Sequence, residues 1–169
     1  MPELQLLRAD HADAVLAFER ENRAYFAATI SDRGEEFFDQ YAEKHRARLA
    51  EQEAGEGAYY VLVDDDGAVL GRFNLILAGD GTADLGYRVA EKVAGQGVAT
   101  AAVGELSQLA ATRYAVHTIR AATSDANVAS QRVLAKNGFV PVGPADPADI
   151  GGKQGRWFQL DLGVVGDEG

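Results

Sequence analysis

Two glycines separated by one residue, Gly95 and Gly97, constrain the fold of this chain more than any other feature. An alternating, strand-like segment precedes them at residues 85–89, and apolar residues with helical spacing follow from Ala99. A strand, a glycine loop and a helix start form a phosphate-binding arrangement, because the first N–H groups of a helix lack internal partners and its dipole favours an anion. Glycine allows a positive φ and a close approach to the ligand. We therefore expect a phosphate-containing ligand at this loop.

The remaining sequence predicts one α+β domain around this loop. Turn signals at 64–67 and 79–81 separate strand-like runs and indicate a β-meander. Strands are predicted over residues 4–7, 58–63, 69–77, 83–89, 116–123, 140–142 and 156–162. Helices are predicted over residues 11–22 with Asp10 as N-cap, 35–52, 99–114 and 127–137, the last ending in a left-handed cap at Gly138.

The connection between the predicted strands decides the sheet type and the domain limits. The strand–helix–strand unit around the glycine loop requires one parallel pair in a sheet that begins antiparallel. No internal repeat or linker interrupts the chain. We expect residues 1–163 to form a single domain and residues 164–169 to be a loose tail.

Charge and composition restrict the classes of partner. The net charge of −10 lacks the basic footprint of a nucleic-acid binder. It would suit a cationic substrate, although an acidic surface that favours solubility is the simpler explanation. The absence of cysteine removes disulfides and thiolate chemistry and agrees with a cytoplasmic location. The first residues show no signal peptide, no apolar run reaches the roughly 18 residues of a membrane span, and three isolated histidines give no metal-binding spacing.

Two common phosphate loops do not fit these residues. A Rossmann fingerprint needs a third glycine where this chain has Thr100, and an acidic residue at the end of the next strand. The first acidic residue after that predicted strand is Asp125. A Walker loop needs Gly-Lys followed by Ser or Thr, which does not occur in this sequence.

Residues 84–139 resemble the GNAT superfamily of N-acetyltransferases, and within it the ribosomal-protein-alanine N-acetyltransferase type. The likeness rests on three segments in the family's order: the strand 84–89, the loop 95–100, and the N-x-x-S and L-x-K-x-G-F patterns within residues 127–139. The segment 157–162 is similar to the family's last strand. One position departs from the pattern, because Ala94 stands where the family usually has Gln or Arg, and this removes one side-chain contact to a diphosphate.

The resemblance implies a three-layer GNAT-like domain whose mixed, mostly antiparallel sheet contains one splayed parallel strand pair and is flanked by helices. It implies acetyl-CoA as the acyl donor and no metal. The acceptor would be an amine, either a protein N-terminus or a small amine, that attacks directly in a ternary complex. The resemblance also implies a cytoplasmic enzyme, with a homodimer as the candidate assembly.

The donor contacts implied by the resemblance lie in the glycine loop and its flanks. Backbone N–H groups of the loop would hold the diphosphate, and the strand edge together with Asn127 would hold the pantetheine arm. The alternatives are that Asn127 only caps its helix and that Thr100 is only a first-turn residue. The predicted donor-binding residues are Val89, Gly95, Gln96, Gly97, Val98, Ala99, Thr100 and Asn127.

The catalytic candidates are Ser130, Asp84 and Tyr87. The resemblance implies that Ser130, one helical turn from Asn127, donates to the departing thiolate, with packing as the alternative. Asp84 is a candidate general base or a solvated carboxylate, and Tyr87 a general acid or a core residue. An α-amino group with a pKa of about 7.7–8.0 needs no strong base. Three helix carboxylates are candidates for the acceptor side or for a solvated face: Glu21, Glu35 and Glu36.

Two other functions remain open at this point. A non-catalytic acyl-CoA-binding or regulatory module would explain Ala94 and the absence of an obvious base. A structural protein would need the glycine pair only as a turn. The acceptor is not readable from the sequence, because neither the N-terminal helices nor the connection at 144–155 carries a recognisable motif.

Overall fold

Seven β-strands form one sheet in the computed structural model, which describes residues 2–28, 32–150 and 152–163. The strands are β1 (Glu3–Leu6), β2 (Gly57–Val63), β3 (Val69–Leu77), β4 (Thr82–Val89), β5 (Thr118–Ser124), β6 (Val140–Pro144) and β7 (Gly155–Asp161). The α-helices in the described ranges are α1 (Ala12–Glu21), α2 (Arg23–Ala27), α3 (Glu35–Asp39), α4 (Tyr41–Glu53), α5 (Val98–Tyr114) and α6 (Val128–Lys136). Short 3-10 helices occupy Ala9–His11, Glu91–Val93 and Pro147–Ile150. The predicted tail, 164–169, lies outside the described residues.

The sheet has the order β1-β2-β3-β4-β5-β7-β6, with β4 and β5 as its parallel pair. Those two strands are paired over only three positions, and the last of them joins Asp84 to Arg120. Beyond this point β4 continues along β3, whereas β5 continues along β7. The predicted mixed sheet with one splayed parallel pair is therefore confirmed, and the gap between the strands opens toward the end of β4 that leads into the glycine loop.

Helices cover both faces of the sheet. As a result, β2 is buried along its whole length and presents alternate residues to two apolar clusters. Tyr60 and Leu62 pack with residues of α5 and α6, such as Leu106 and Leu134. Tyr59 and Val61 pack in a second cluster with residues of α1 and α4. This produces the predicted three layers, with helices from the N-terminal third on one face and the helices after the glycine loop on the other.

The first predicted helix needs a correction at its start. Helix α1 begins at Ala12, and Asp10 is not its N-cap. Instead Asp10 lies in the preceding 3-10 turn, where its carboxylate accepts a hydrogen bond from the Arg8 guanidinium at 3.1 Å. The backbone N–H of Arg8 donates to Nδ1 of the buried His11 at 2.9 Å. The sequence did not reveal this arrangement, because histidine is not among the preferred capping residues.

The predicted helix over residues 35–52 is two helices. The backbone leaves the helical region at Gln40, with φ −107° and ψ 20°, so α3 ends before α4 begins. Phe38 of α3 lies under the Arg23 guanidinium, 4.5 Å from ring centroid to Cζ, whereas Tyr41 of α4 packs against the sheet. Packing against different neighbours therefore outweighs the continuous helical spacing of the sequence. The other helices and strands end within two residues of their predicted limits, with the short α2 as an addition.

Candidate functional site

Two cavities open where β4 and β5 separate, and they share part of their walls. The first has a volume of about 330 Å³ and lies between the glycine loop, the end of β4 and helix α6. The second has a volume of about 350 Å³ and lies among β3, β4, β5 and the connection before β7. Four residues line both cavities: Tyr87, Arg88, Asn127 and Ser130. The cavities therefore meet at the splayed strands, so that two bound molecules could touch there.

Both glycines of the loop adopt the left-handed conformation that the sequence required. The φ angle is +77° at Gly95 and +79° at Gly97, which is the residue before helix α5. A Cβ atom added at either position would meet no protein atom within 4 Å, so both face open space. Because both residues also line the first cavity, glycine keeps the approach to the backbone clear.

The glycine loop presents backbone N–H groups that have no protein acceptor. Helix α5 begins its hydrogen bonding with the N–H of Ala101, which donates to the Gly97 carbonyl at 3.0 Å. In the part of the chain that the structure describes, no acceptor is bound by the N–H groups of Gly95, Gly97, Val98, Ala99 and Thr100. All five residues line the first cavity. Unpaired donors at a helix start suit an anion such as a phosphate.

Gln96 differs from its neighbours in the loop. Its N–H donates to the Val93 carbonyl at 3.3 Å, and its side-chain amide donates to the Lys92 carbonyl at 3.2 Å. Gln96 does not line either of the two cavities. The loop therefore brings the other predicted donor-binding residues together with Val89 and Asn127, but it does not turn the Gln96 N–H toward the cavity.

Two cations that are not among the predicted donor-binding residues lie on the wall of the first cavity. Arg132 and Lys136 are exposed, and they stand one turn apart on α6, on the side of the helix that borders the cavity. In the sequence, two cations spaced four residues apart on a predicted helix of an otherwise acidic chain could have indicated these residues. Together with the free N–H groups, they fit a ligand with more than one phosphate.

Tyr87 and Ser130 are joined by a hydrogen bond at the junction of the cavities. Their hydroxyl oxygens are 2.9 Å apart, and the Tyr87 ring stacks on Phe73 with centroids 5.7 Å apart. Burial raises the pKa of Tyr87 to about 12, with the Ser130 hydrogen bond acting in the opposite direction. The phenol therefore stays protonated near neutral pH and can donate a hydrogen bond.

Asn127 fixes the position of Ser130 from the start of the same helix. Its Oδ1 accepts a hydrogen bond from the Ser130 backbone N–H at 3.2 Å, so Asn127 is the N-cap of α6. Asn127 therefore caps its helix, and because the same residue also lines both cavities, its contact with the donor stays a prediction. Helix capping thus places Ser130 against Tyr87.

Asp84 lies apart from this pair. It is the last residue of β4 that is paired with β5, and it lines neither cavity. Although its side chain is exposed, partial desolvation raises its pKa, an effect that nearby Arg120 opposes and Asp149 reinforces. The role of general base for Asp84 stays a prediction. The helix carboxylates of Glu21, Glu35 and Glu36 are exposed and also line neither cavity.

A buried carboxylate that sequence reasoning missed lies beside the second cavity. Only 1% of the Glu19 side chain is exposed, and it accepts hydrogen bonds from Arg72 at 2.8 Å, from Arg88 at 3.1 Å and from Arg33 at 3.2 Å. Burial opposes ionisation of this carboxyl, but the three guanidinium groups outweigh it and lower the pKa of Glu19. The sequence signal for this buried carboxylate was the position of Glu19 four residues after Val15, on the apolar face of α1.

Two further classes of feature are missing from the described ranges. They contain no group of three or more His, Cys, Asp or Glu side chains arranged to hold a metal ion. They also contain no helix with both the length and the apolar character that a bilayer span requires.

The chain is similar to known acetyltransferases in sequence pattern and in fold. Residues 3–140 match a family model described as "Acetyltransferase (GNAT) domain". No curated protein matches the chain in sequence. Among solved structures, a ribosomal-protein-S5-alanine acetyltransferase from Vibrio fischeri has a TM-score of 0.87 at 20% identity, covering 95% of this chain and 93% of that one.

Two other solved structures share the fold and were determined with CoA species. Mycobacterium smegmatis RimJ in complex with CoA-disulfide has a TM-score of 0.79 at 22% identity, covering 94% of this chain and 80% of that one. A spermidine N-acetyltransferase from Vibrio cholerae, in complex with CoA and spermine, has a TM-score of 0.78 at 17% identity and 95% coverage of both chains. At these identities the likeness establishes the fold.

Proposed function

This chain belongs to the GNAT acetyltransferase family, and we propose that it transfers the acetyl group of acetyl-CoA to an amine by direct attack in a ternary complex. The observation that carries the proposal is the meeting of two cavities at the Tyr87–Ser130 pair. One cavity would hold the donor and the other the acceptor. Transfer between two bound molecules needs this kind of contact, because positioning the reacting atoms removes much of the entropic barrier.

The first cavity is the proposed donor site. The free N–H groups from Gly97 to Thr100 and the cations Arg132 and Lys136 would bind the phosphates. The N–H groups remain despite Ala94, so the missing Gln or Arg side chain would weaken the donor without excluding it. The CoA complexes of proteins with the same fold support this choice of ligand.

The pantetheine arm would follow the free edge of β4 at Tyr87–Val89, where β5 has turned away. Val89 and Asn127 both line this part of the first cavity. When bound, acetyl-CoA supplies an activated thioester that an amine can attack. A strand edge with unpaired backbone groups would fix the arm and leave the thioester near the junction of the cavities.

Ser130 and Tyr87 are the proposed proton donors. If Tyr87 Oη donates to Ser130 Oγ, the Ser130 hydroxyl proton can pass to the sulfur as the amine nitrogen bonds to the carbonyl carbon and the carbon–sulfur bond breaks, while the Tyr87 proton moves to Ser130 Oγ. The proton that the attacking nitrogen loses returns through solvent to Tyr87, so that the products are the acetylated amine and the CoA thiol. The raised pKa of Tyr87 keeps the phenol protonated for this purpose. The attacking amine must arrive neutral, and an α-amino group already contains an appreciable neutral fraction near neutral pH.

The test is thiol release from acetyl-CoA over a panel of peptides with free N-termini, amino acids and polyamines, with the acetylated product identified by mass. Turnover with at least one amine is the expected result. Binding of CoA without turnover of any amine would favour a non-catalytic acyl-CoA-binding module. Absence of any CoA-dependent rise in Tm at millimolar ligand would contradict the donor site as well.

A further inference from the structure

The second cavity has a cationic wall, although the chain as a whole is acidic. Arg33, Arg72, Arg88 and Lys153 line it, and Asp149 is the acidic residue that lines it within the described ranges. Exposed charges beyond a Debye length of about 8–10 Å are largely screened in salt, so the wall of a cavity outweighs the net charge of the surface in selecting what enters. The cavity wall therefore favours an anionic group, whereas the net charge of the chain suggested a cationic substrate.

The arginines of this wall are not balanced by their buried partner. Glu19 offers one negative charge to three guanidinium groups, and because Arg33 is 32% exposed to water, the buried surplus is one positive charge shared by Arg72 and Arg88. The side chains of Arg72 and Arg88 are only 9% and 13% exposed, so water compensates them poorly. Arg33 reaches water, but Arg72 and Arg88 share a single buried carboxylate, and a buried cation without its own anionic partner is costly.

The pKa of Arg88 reflects the same surplus. Burial lowers it to about 10, and Arg33 and Arg72 push it in the same direction, whereas Glu19 alone among the contributing groups opposes them. A second carboxylate on the cavity side of Arg88 and Arg72 would relieve this imbalance. Arginine is suited to such a ligand, because its planar guanidinium can bind both oxygens of a carboxylate.

The cationic wall adjoins the point of transfer. Arg88 follows Tyr87 in β4 and lines both cavities, and Arg72 lies directly opposite Arg88 in the register of β3 and β4. On this geometry, and building on the proposed acetyl transfer, we propose that the acceptor is an amine that carries a carboxylate close to its amino group, and that Arg33, Arg72 and Arg88 bind this carboxylate. The carboxylate belongs either to a free amino acid or to an acidic residue at the start of a peptide.

Matched acceptors provide the test. Three peptides that differ only at their second residue begin Ala-Glu, Ala-Gln and Ala-Lys, and alanine is compared with alaninamide to separate a peptide source from a free amino acid. Spermidine represents acceptors without a carboxylate. We expect at least one carboxylate-bearing acceptor to exceed its amide partner in kcat/KM by about tenfold, the effect of one charge-assisted hydrogen bond. Equal values for both pairs, or a preference for Ala-Lys or spermidine, would overturn the proposal.

Variants test whether the cationic wall causes the preference. Arg33→Gln and Lys153→Gln are suited to this, because both side chains lie at the accessible border of the cavity and Arg72 and Arg88 stay in place. At least Arg33→Gln should reduce the ratio of kcat/KM between the carboxylate and amide acceptors several-fold. Arg46→Gln, on the exposed face of α4, is the matched loss of one positive charge and should leave the ratio unchanged. An equal reduction by Arg46→Gln would assign the preference to overall charge and contradict the cavity.

Binding is measured together with turnover, so that the two proposals fail separately. Each acceptor is titrated calorimetrically into the full chain saturated with CoA. Tighter binding of the carboxylate members would support the anion site even if no acceptor were acetylated, a result that would contradict only the proposed transfer. Turnover without any preference in binding or kinetics would leave the transferase function intact and reject the carboxylate site.

Discussion

The hydroxyl oxygens of Tyr87 and Ser130 lie 2.9 Å apart, on the wall that the two cavities of the candidate site share. Tyr87 reaches this position from β4, and Ser130 reaches it from the first turn of α6, which Asn127 caps. The contact forms because β5 separates from β4 after Arg120 and leaves the space between them open. The proposed proton donors and the proposed donor and acceptor sites therefore all depend on one interruption of the sheet.

Removing either hydroxyl of this pair should slow the transfer step. We expect Ser130→Ala and Tyr87→Phe each to lower kcat by about 100-fold, with a smaller change in the KM for acetyl-CoA, because proton transfer matters in the transition state. The double variant should be little slower than either single variant, since the two groups act as one unit.

The control for this prediction is Ser107→Ala, which removes a buried hydroxyl that donates to the Val103 carbonyl inside α5, away from both cavities. Its kcat should stay close to that of the unmodified protein. An unchanged kcat in Ser130→Ala would show that this serine has only a packing role. Strictly additive losses of kcat in the double variant would show that the two hydroxyls act separately.

A side chain at Gly97 should block the donor site more than it disturbs the fold. Gly97→Val introduces strain of about 1–3 kcal/mol at a positive φ, and its Cβ points into open space at the cavity. Gly67→Val is a matched control, because Gly67 also has a positive φ and open space but lies in the turn between β2 and β3.

The two glycine variants should lose similar amounts of thermal stability, and only Gly97→Val should weaken CoA binding, by about tenfold or more, equivalent to ~1.4 kcal/mol. Calorimetric titration with CoA and thermal unfolding measure the two effects. A Gly97→Val protein with undiminished CoA affinity would show that the loop is not the phosphate site.

Neutralising the cations of α6 should weaken binding only of ligands that carry phosphates. We expect Arg132→Gln and Lys136→Gln each to reduce CoA affinity a few-fold, because an exposed charge pair contributes about 0.2–1 kcal/mol. The salt dependence of CoA binding should also decrease. Pantetheine, which has no phosphate, is the control ligand and should bind both variants and the unmodified protein equally. Equal losses for CoA and pantetheine would contradict a phosphate contact.

The buried Glu19 should be a main support of the N-terminal half of the fold. Glu19→Gln removes the charge that three guanidinium groups share, so we expect a loss of about 3–5 kcal/mol in the free energy of unfolding, as for other broken buried ion pairs. Glu21→Gln, an exposed change in the same helix, should cost much less. Urea unfolding at neutral pH compares the two, and equal losses would contradict the prediction.

The same carboxylate predicts a pH dependence of stability. Because the pKa of Glu19 is lowered from its ordinary value of 4.5, its contribution is complete above that value and is lost as the pH falls through the lower folded value. The free energy of unfolding should therefore fall on acidification below pH 4.5, and Glu19→Gln should remove part of this loss. An identical acid dependence in both proteins would assign the loss to other carboxylates.

Local sequence signals determined much of the fold. The limits of β3 were predicted without error, and the glycine pair, the Asn127 cap and the left-handed Gly138 were all predicted from neighbouring residues. These features depend on backbone preferences and on hydrogen bonds between groups a few positions apart. Both can be inferred from short segments of the sequence. The wrong predictions lie in the N-terminal helices, where the Gln40 break and the start of α1 follow packing against distant elements.

By itself, then, the sequence determined the glycine loop, the parallel strand pair that it requires and the family to which the chain belongs. Only the tertiary structure decided that Glu19 is buried among three arginines, one of which lies 69 positions away. It also decided that Tyr87 meets Ser130 while Asp84 stays outside the cavities. The physical reason is that the environment of a charged side chain depends on which strands and helices pack beside it. The spacing of residues along the chain does not encode this packing for residues that are far apart in the sequence.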